Sequence, residues 1–189
     1  MIRPFAVLGL SVVVTLSATA LVDAQKPIAK YSAQAVNLDG QVGTATGPIQ
    51  IQITRWSTDA ERDSLTTTLF EKGTQPLLQA VSQMPTVGLL RVPDSVGYPL
   101  RYARRTTATT NIENIVIITD RPLSFYERRD SPRSIDYPFT VIRMQLNSQG
   151  RGQGDILLAT RISADRATKD IAFEHFGATP LKLQNVRRE

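Results

Sequence analysis

Cysteine is absent from this chain, and histidine and tryptophan occur once each. The first absence removes disulfides, thiolate-ligated zinc, iron-sulfur clusters, thiol nucleophiles and the lipidated cysteine of a bacterial lipoprotein. With one histidine, a zinc site would have to be built almost wholly from carboxylates and water, so no metal is expected. Nucleotide motifs are missing as well. "GRGQGD" (150–155) lacks the Gly-Lys-Ser/Thr ending of a phosphate loop and runs into a strand-like segment, so it reads as a hairpin loop. No Gly-x-Ser-x-Gly elbow occurs. These absences leave no catalytic residue to assign, no cofactor to expect, and a chain that leans away from enzymes.

What is present begins with a leader. Residues 1–24, "MIRPFAVLGLSVVVTLSATALVDA", carry one cation at Arg3, then an apolar stretch softened by Ser and Thr, then Val22 and Ala24 at the small-residue positions of a cleavage site. The expected product starts at Gln25 and forms one domain over 25–189, exported to the periplasm or the extracellular space. No second apolar run is long enough to span a bilayer, so stable membrane insertion after cleavage is not expected.

The net charge is +5 and the sequence pI about 9.8. A basic exported protein can concentrate polyanions if its cations cluster. The most crowded stretch, Asp120 to Phe139, does not qualify: Arg121, Arg128, Arg129 and Arg133 face Asp120, Glu127, Asp130 and Asp136. A self-neutralising segment is a poor phosphate tracker, and its aromatics do not then read as base-stacking platforms. Nucleic acid is therefore not an expected partner. Pro122, Pro132 and Pro138 suggest a shaped loop whose charges pair locally.

Period-two alternation marks strands at 28–36 and 48–56, with Ile49, Ile51 and Ile53 on one face. Between 57 and 73 the pattern turns helical. Ser57 or Thr58 can cap this helix, Thr58 with Glu61 makes a capping box, and Gly73 ends it. Asp59, Glu61 and Asp63 are explained by the positive end of the helix dipole rather than as paired catalytic acids. Thr74 and Pro76 open a second helix whose Leu77, Leu78, Val81 and Met84 recur at helical spacing before Pro85.

Strands return at 87–93, 97–105, 112–119, 139–147, 156–163, 171–176 and 181–186, joined by turn-rich links. The run 112–119, "IENIVIIT", is apolar enough to be the most buried. Alternation places Tyr98, Leu100 and Tyr102 on one face and Arg101 and Arg105 on the other. It also points Ile142, Met144, Leu146, Ile156, Leu158, Ile162, Ile171, Phe173, Leu181 and Leu183 inward, with His175 as a core or strand-end histidine beside them. The expected fold is α+β: mainly antiparallel β, about eight or nine strands in a curled sheet or barrel, with one inserted helical hairpin.

The runs "ITRWSTDAERD", "SVGYPLRYARR", "ITDRPLSFYE" and "DYPFTVIRM" resemble a group of small exported bacterial proteins with no assigned activity. The resemblance covers most of the chain after the leader and implies a single exported domain, with no catalytic residues to carry over.

Three functions follow as expectations. A curled sheet can hold a small apolar or lipid-like ligand, with Tyr98, Tyr102, Phe125, Tyr126 and Tyr137 at its mouth. A basic sheet face with Arg101, Arg143, Arg161 and Lys182 could instead hold an anionic envelope polymer or a partner protein. A hydrolase using His175 or Asp120, Asp130 and Asp136 is the third.

Overall fold

The computed structural model describes residues 26–36, 47–93, 96–108, 111–121, 123, 136–168, 170–175 and 180–189. The leader (1–24) lies outside the described residues. Among those described are ten strands and two helices. In chain order these are β1 (Ala29–Val36), β2 (Gly47–Ile53), α1 (Asp59–Lys72), α2 (Thr74–Gln83), β3 (Gly88–Arg91), β4 (Tyr98–Leu100), β5 (Tyr102–Thr107), β6 (Glu113–Thr119), β7 (Phe139–Leu146), β8 (Arg151–Asp165), β9 (Asp170–His175) and β10 (Leu181–Arg188).

All strand pairs are antiparallel, in the order β4-β3-β2-β1-β10-β8-β7-β6-β5, with β9 alongside β8. The two ends of this path, β4 and β5, are separated in the chain by Arg101 alone. One bent strand therefore supplies both edges: Leu100 accepts from the Val87 N–H at 2.8 Å, and the Arg101 N–H donates to Ile118 at 3.0 Å. The sheet is thereby nearly closed into a barrel. The α+β fold with a helical hairpin is the one the alternation and capping signals predict.

The barrel interior is filled by the inward set of every strand, including Tyr31, Ile51, Ile53, Leu90, Leu100, Ile115, Ile117, Ile142, Met144, Leu158 and Leu183, all nearly inaccessible to solvent. A second apolar cluster lies on the outer face, where Leu69, Leu77 and Val81 of the hairpin meet Phe139, Val141, Leu157 and Ile162. β6 serves both layers. Its odd residues are sealed inside, while Val116 and Ile118 pack outward beneath the helices.

The hairpin forms where its caps say it should. Thr58 accepts from the Glu61 N–H at 3.2 Å while the Glu61 carboxylate accepts from the Thr58 N–H at 2.8 Å, closing the predicted capping box. Gly73 stops α1 with φ at 86°, a left-handed conformation that disfavours any side chain. Thr74, predicted as the cap of α2, is instead its first residue, and its hydroxyl donates to the Ile162 carbonyl at 2.8 Å.

Three sequence expectations are corrected. The face assignment breaks at Arg101, where the bend inverts the alternation: Tyr98 and Leu100 point into the barrel, Ala103 and Arg105 continue that face, and Tyr102 lies outside. A β-bulge between the β7 and β8 pairings does the same, carrying Ile162 and, through its β9 partner, Phe173 to the outer cluster. Ile171 and His175 share that outer side of β9 and are exposed. Finally, "GRGQGD" is no loop beyond Gly150, since β8 begins at Arg151. A Cβ on Gly152 or Gly154 would strike the Gln145 or Arg143 carbonyl of β7, so these glycines permit a close strand approach.

Candidate ligand-binding groove

The inverted alternation at Arg101 decides where the predicted mouth residues stand. Tyr98 belongs to the barrel interior, with Arg121 over its ring at 5.2 Å. Tyr102 faces the opposite way, into a groove between the hairpin and the outer face of the sheet. Tyr137 is half-buried just before β7. Phe125 and Tyr126 lie outside the described residues. Tyr98 and Tyr102 thus stand on opposite sides of the sheet.

The groove has a volume of about 260 Å³. Its walls are apolar: Leu65 and Leu69 come from α1, Leu77 and Val81 from α2, Val116 and Ile118 from β6, and Ile162, Ile171 and Phe173 from β8 and β9. The pattern follows from the chain. β5 and β6 present their even residues outward, and α1 turns a narrow stripe toward them at Leu65 and Leu69. Because the stripe is thin, the hairpin does not close the seam, and Ile171 keeps 41% of its surface exposed at the opening.

One rim is polar. Arg62 on α1 and Tyr102 and Arg104 on β5 line it. Arg104 donates to Asp59 at 2.6 Å, and Arg62 lies 2.6 Å from Asp63 and 3.6 Å from Asp59. The Arg104 guanidinium holds the Asp59 carboxyl below its usual range. Burial pushes the Tyr102 hydroxyl up, with Arg104 and Arg62 opposing, so the phenol is protonated at neutral pH and able to donate. Below this rim the turn into α1 is pinned: Arg55 donates twice to Glu61, at 3.0 and 2.9 Å, and Ser57 exchanges hydrogen bonds with Ala103 at 2.7 and 3.0 Å.

A second constellation, one the sequence reading missed, closes one end of the barrel. Glu113 is buried and inward-facing, 3.3 Å from Arg105 and in contact with Arg188. Arg188 stacks over Tyr31 at 5.8 Å, and Arg105 over Trp56 at 5.2 Å. The Tyr31 hydroxyl is buried; burial raises its pKa, against the pull of Arg188. Parity was the available signal for Tyr31 and Glu113, which share the inward face of their strands, whereas the break at Arg101 hid Arg105.

The basic-face candidates do not form one row. Arg101 is engaged at the barrel corner, donating to Asp120 at 3.1 Å and to the Met84 carbonyl at the end of α2 at 3.1 Å. Arg143 and Lys182 flank Asp155 in register across β7, β8 and β10, at 3.6 and 2.6 Å. They line a groove of about 440 Å³ with Gln145, Gln153 and Gln184. Arg161 is elsewhere, exposed opposite Glu174 on β9. Of the hydrolase candidates, His175 is exposed at a strand end, Asp120 is paired with Arg101, Asp136 is exposed, and Asp130 lies outside the described residues.

Comparison with known proteins finds no matching family model, no similar curated protein and no similar solved structure.

Proposed function

We propose that the chain is an exported, non-catalytic binding protein for a small apolar or lipid-like ligand, held between the helical hairpin and the outer face of the sheet. The single observation that carries this reading is the apolar groove of about 260 Å³ beneath α1 and α2, open at Ile171. Ligand sites are concave, mostly apolar and furnished with a few polar groups, and this groove has that composition at a volume just below the usual size range. Export is supported by the charge, softened apolar run and small-residue ending of residues 1–24.

Native against denaturing mass spectrometry of protein recovered from the exporting cell tests the reading. The expected result is a reproducible adduct that is lost on denaturation and absent from a Val116→Trp variant, in which the indole fills the groove. A bare chain mass, together with no binding of added apolar probes, would overturn it.

A second reading has its own observation. Arg143 and Lys182 line the 440 Å³ groove and share one acid, Asp155. An anionic envelope polymer bound there would be released by salt and by the double substitution of Arg143 and Lys182 to Glu, neither of which should disturb an apolar ligand.

A further inference from the structure

The groove is asymmetric in charge. Among the described residues, its ionisable lining groups are Arg62, Arg104 and Tyr102, with no carboxylate. The acids paired with the two arginines stand outside it, with Asp59 and Asp63 74% and 64% exposed, while Arg104 and Arg62 are 24% and 43% exposed. Two cations and a phenol therefore face one end of an apolar cavity, and their counterions face water.

From this asymmetry we infer that the groove takes a single-chain anionic amphiphile with a carboxylate head. The chain lies among Leu65, Leu69, Val116, Ile118 and Phe173, and the carboxylate sits between Arg62 and Arg104 within reach of the Tyr102 hydroxyl. The inference rests on the reading of the groove as the binding site and adds the chemical class of its occupant.

The physical balance favours such an exchange. An arginine paired with a solvent-exposed carboxylate gains little from it, because water screens the attraction. Replacing Asp59 by the head of a ligand whose chain covers the pair moves the same contact to a lower dielectric, where it is stronger. Guanidinium groups suit a planar carboxylate, which they can grip with two parallel hydrogen bonds. Tyr102 adds a neutral donor, since burial keeps it protonated. The volume of about 260 Å³ limits the occupant to one short chain.

Decanoate and decanol, titrated calorimetrically into the full-length mature protein below their aggregation limits, test this. Decanoate should bind at least about tenfold more tightly than decanol, the advantage expected of charge-assisted hydrogen bonds. Arg104→Gln and Arg62→Gln should each shrink that ratio by weakening decanoate more than decanol, and Arg104→Lys should restore part of it. Equal affinities in the unmodified protein would overturn the carboxylate head and leave the apolar groove standing. Binding of neither probe would overturn both readings.

Discussion

Ile117 and Ile118 are neighbours in one strand, yet Ile117 is sealed in the barrel at 0% exposure while Ile118 lines the groove beneath the hairpin. The difference reflects what each face meets. Inside, ladder partners from around the barrel converge on a short radius, so every inward side chain is surrounded. Outside, β6 is covered by a hairpin whose first helix offers little more than Leu65 and Leu69. A thin apolar stripe on a curved sheet leaves a seam. The inner face thus holds the fold together, and the outer face is where space for a ligand remains.

The sharpest way to break this comparison is to truncate both neighbours. Ile117→Ala should cost about 2–5 kcal/mol by opening a cavity in a packed interior. Ile118→Ala should cost at most about 1 kcal/mol, because the groove is already open there. Denaturant unfolding of the two variants measures both, and equal losses would contradict the division. Gly152→Ala ranks next. Its methyl would meet the Gln145 backbone, so the strands must part, at about 1–3 kcal/mol, with a lowered unfolding midpoint as the readout.

A smaller effect is expected at the barrel end. Glu113→Gln removes the charge that holds Arg105 and Arg188, and both arginines are partly solvated, so the loss should be about 1–2 kcal/mol. Thermal unfolding of the variant with and without high salt sharpens the point, since the difference from the unmodified protein should narrow as salt screens the half-exposed arginines.

The smallest effect concerns the turn into α1. The Arg55 hydrogen bonds, with those of the Thr58 cap, hold the Glu61 carboxyl below its ordinary pKa of 4.5. A lowered folded-state pKa means that the unfolded chain binds the proton more tightly. The stabilisation is therefore whole above about pH 4.5 and fades as pH falls through the lowered value. Glu61→Gln should cost below about 1 kcal/mol at neutral pH, given the partial exposure of the pair, and the gap should close as the pH falls below the lowered value. A gap that widens on acidification would be the wrong sign.

Much of this was legible in the sequence because strand alternation and helix caps are local signals. Thr58, Glu61 and Gly73 bound α1 through contacts within a few residues, and the isoleucines of β2 declare their inward face directly. What could not be read was parity across breaks. "YPLRY" alternates without interruption, and nothing in it marks Arg101 as the corner that turns Tyr102 out of the barrel. The bulge in β8 is equally silent, since Ile162 fits either face, and the glycines of "GRGQGD" look like turn formers until β7 lies against them. These breaks are long-range consequences of closing the sheet, and they moved the candidate site from a barrel mouth to the groove. The basic row dissolved for a related reason, because cross-strand register brought Asp155 between Arg143 and Lys182.

The central claim is that the ligand site lies outside the barrel, under the hairpin. Methyl-resolved NMR of the Ile, Leu and Val side chains during titration with decanoate tests it most directly. The account predicts shifts confined to Leu65, Leu69, Val81, Val116, Ile118 and Ile162, with Ile51, Ile115 and Leu158 undisturbed. Shifts centred on Ile51, Ile115 and Leu158 would place the ligand inside the barrel and contradict it.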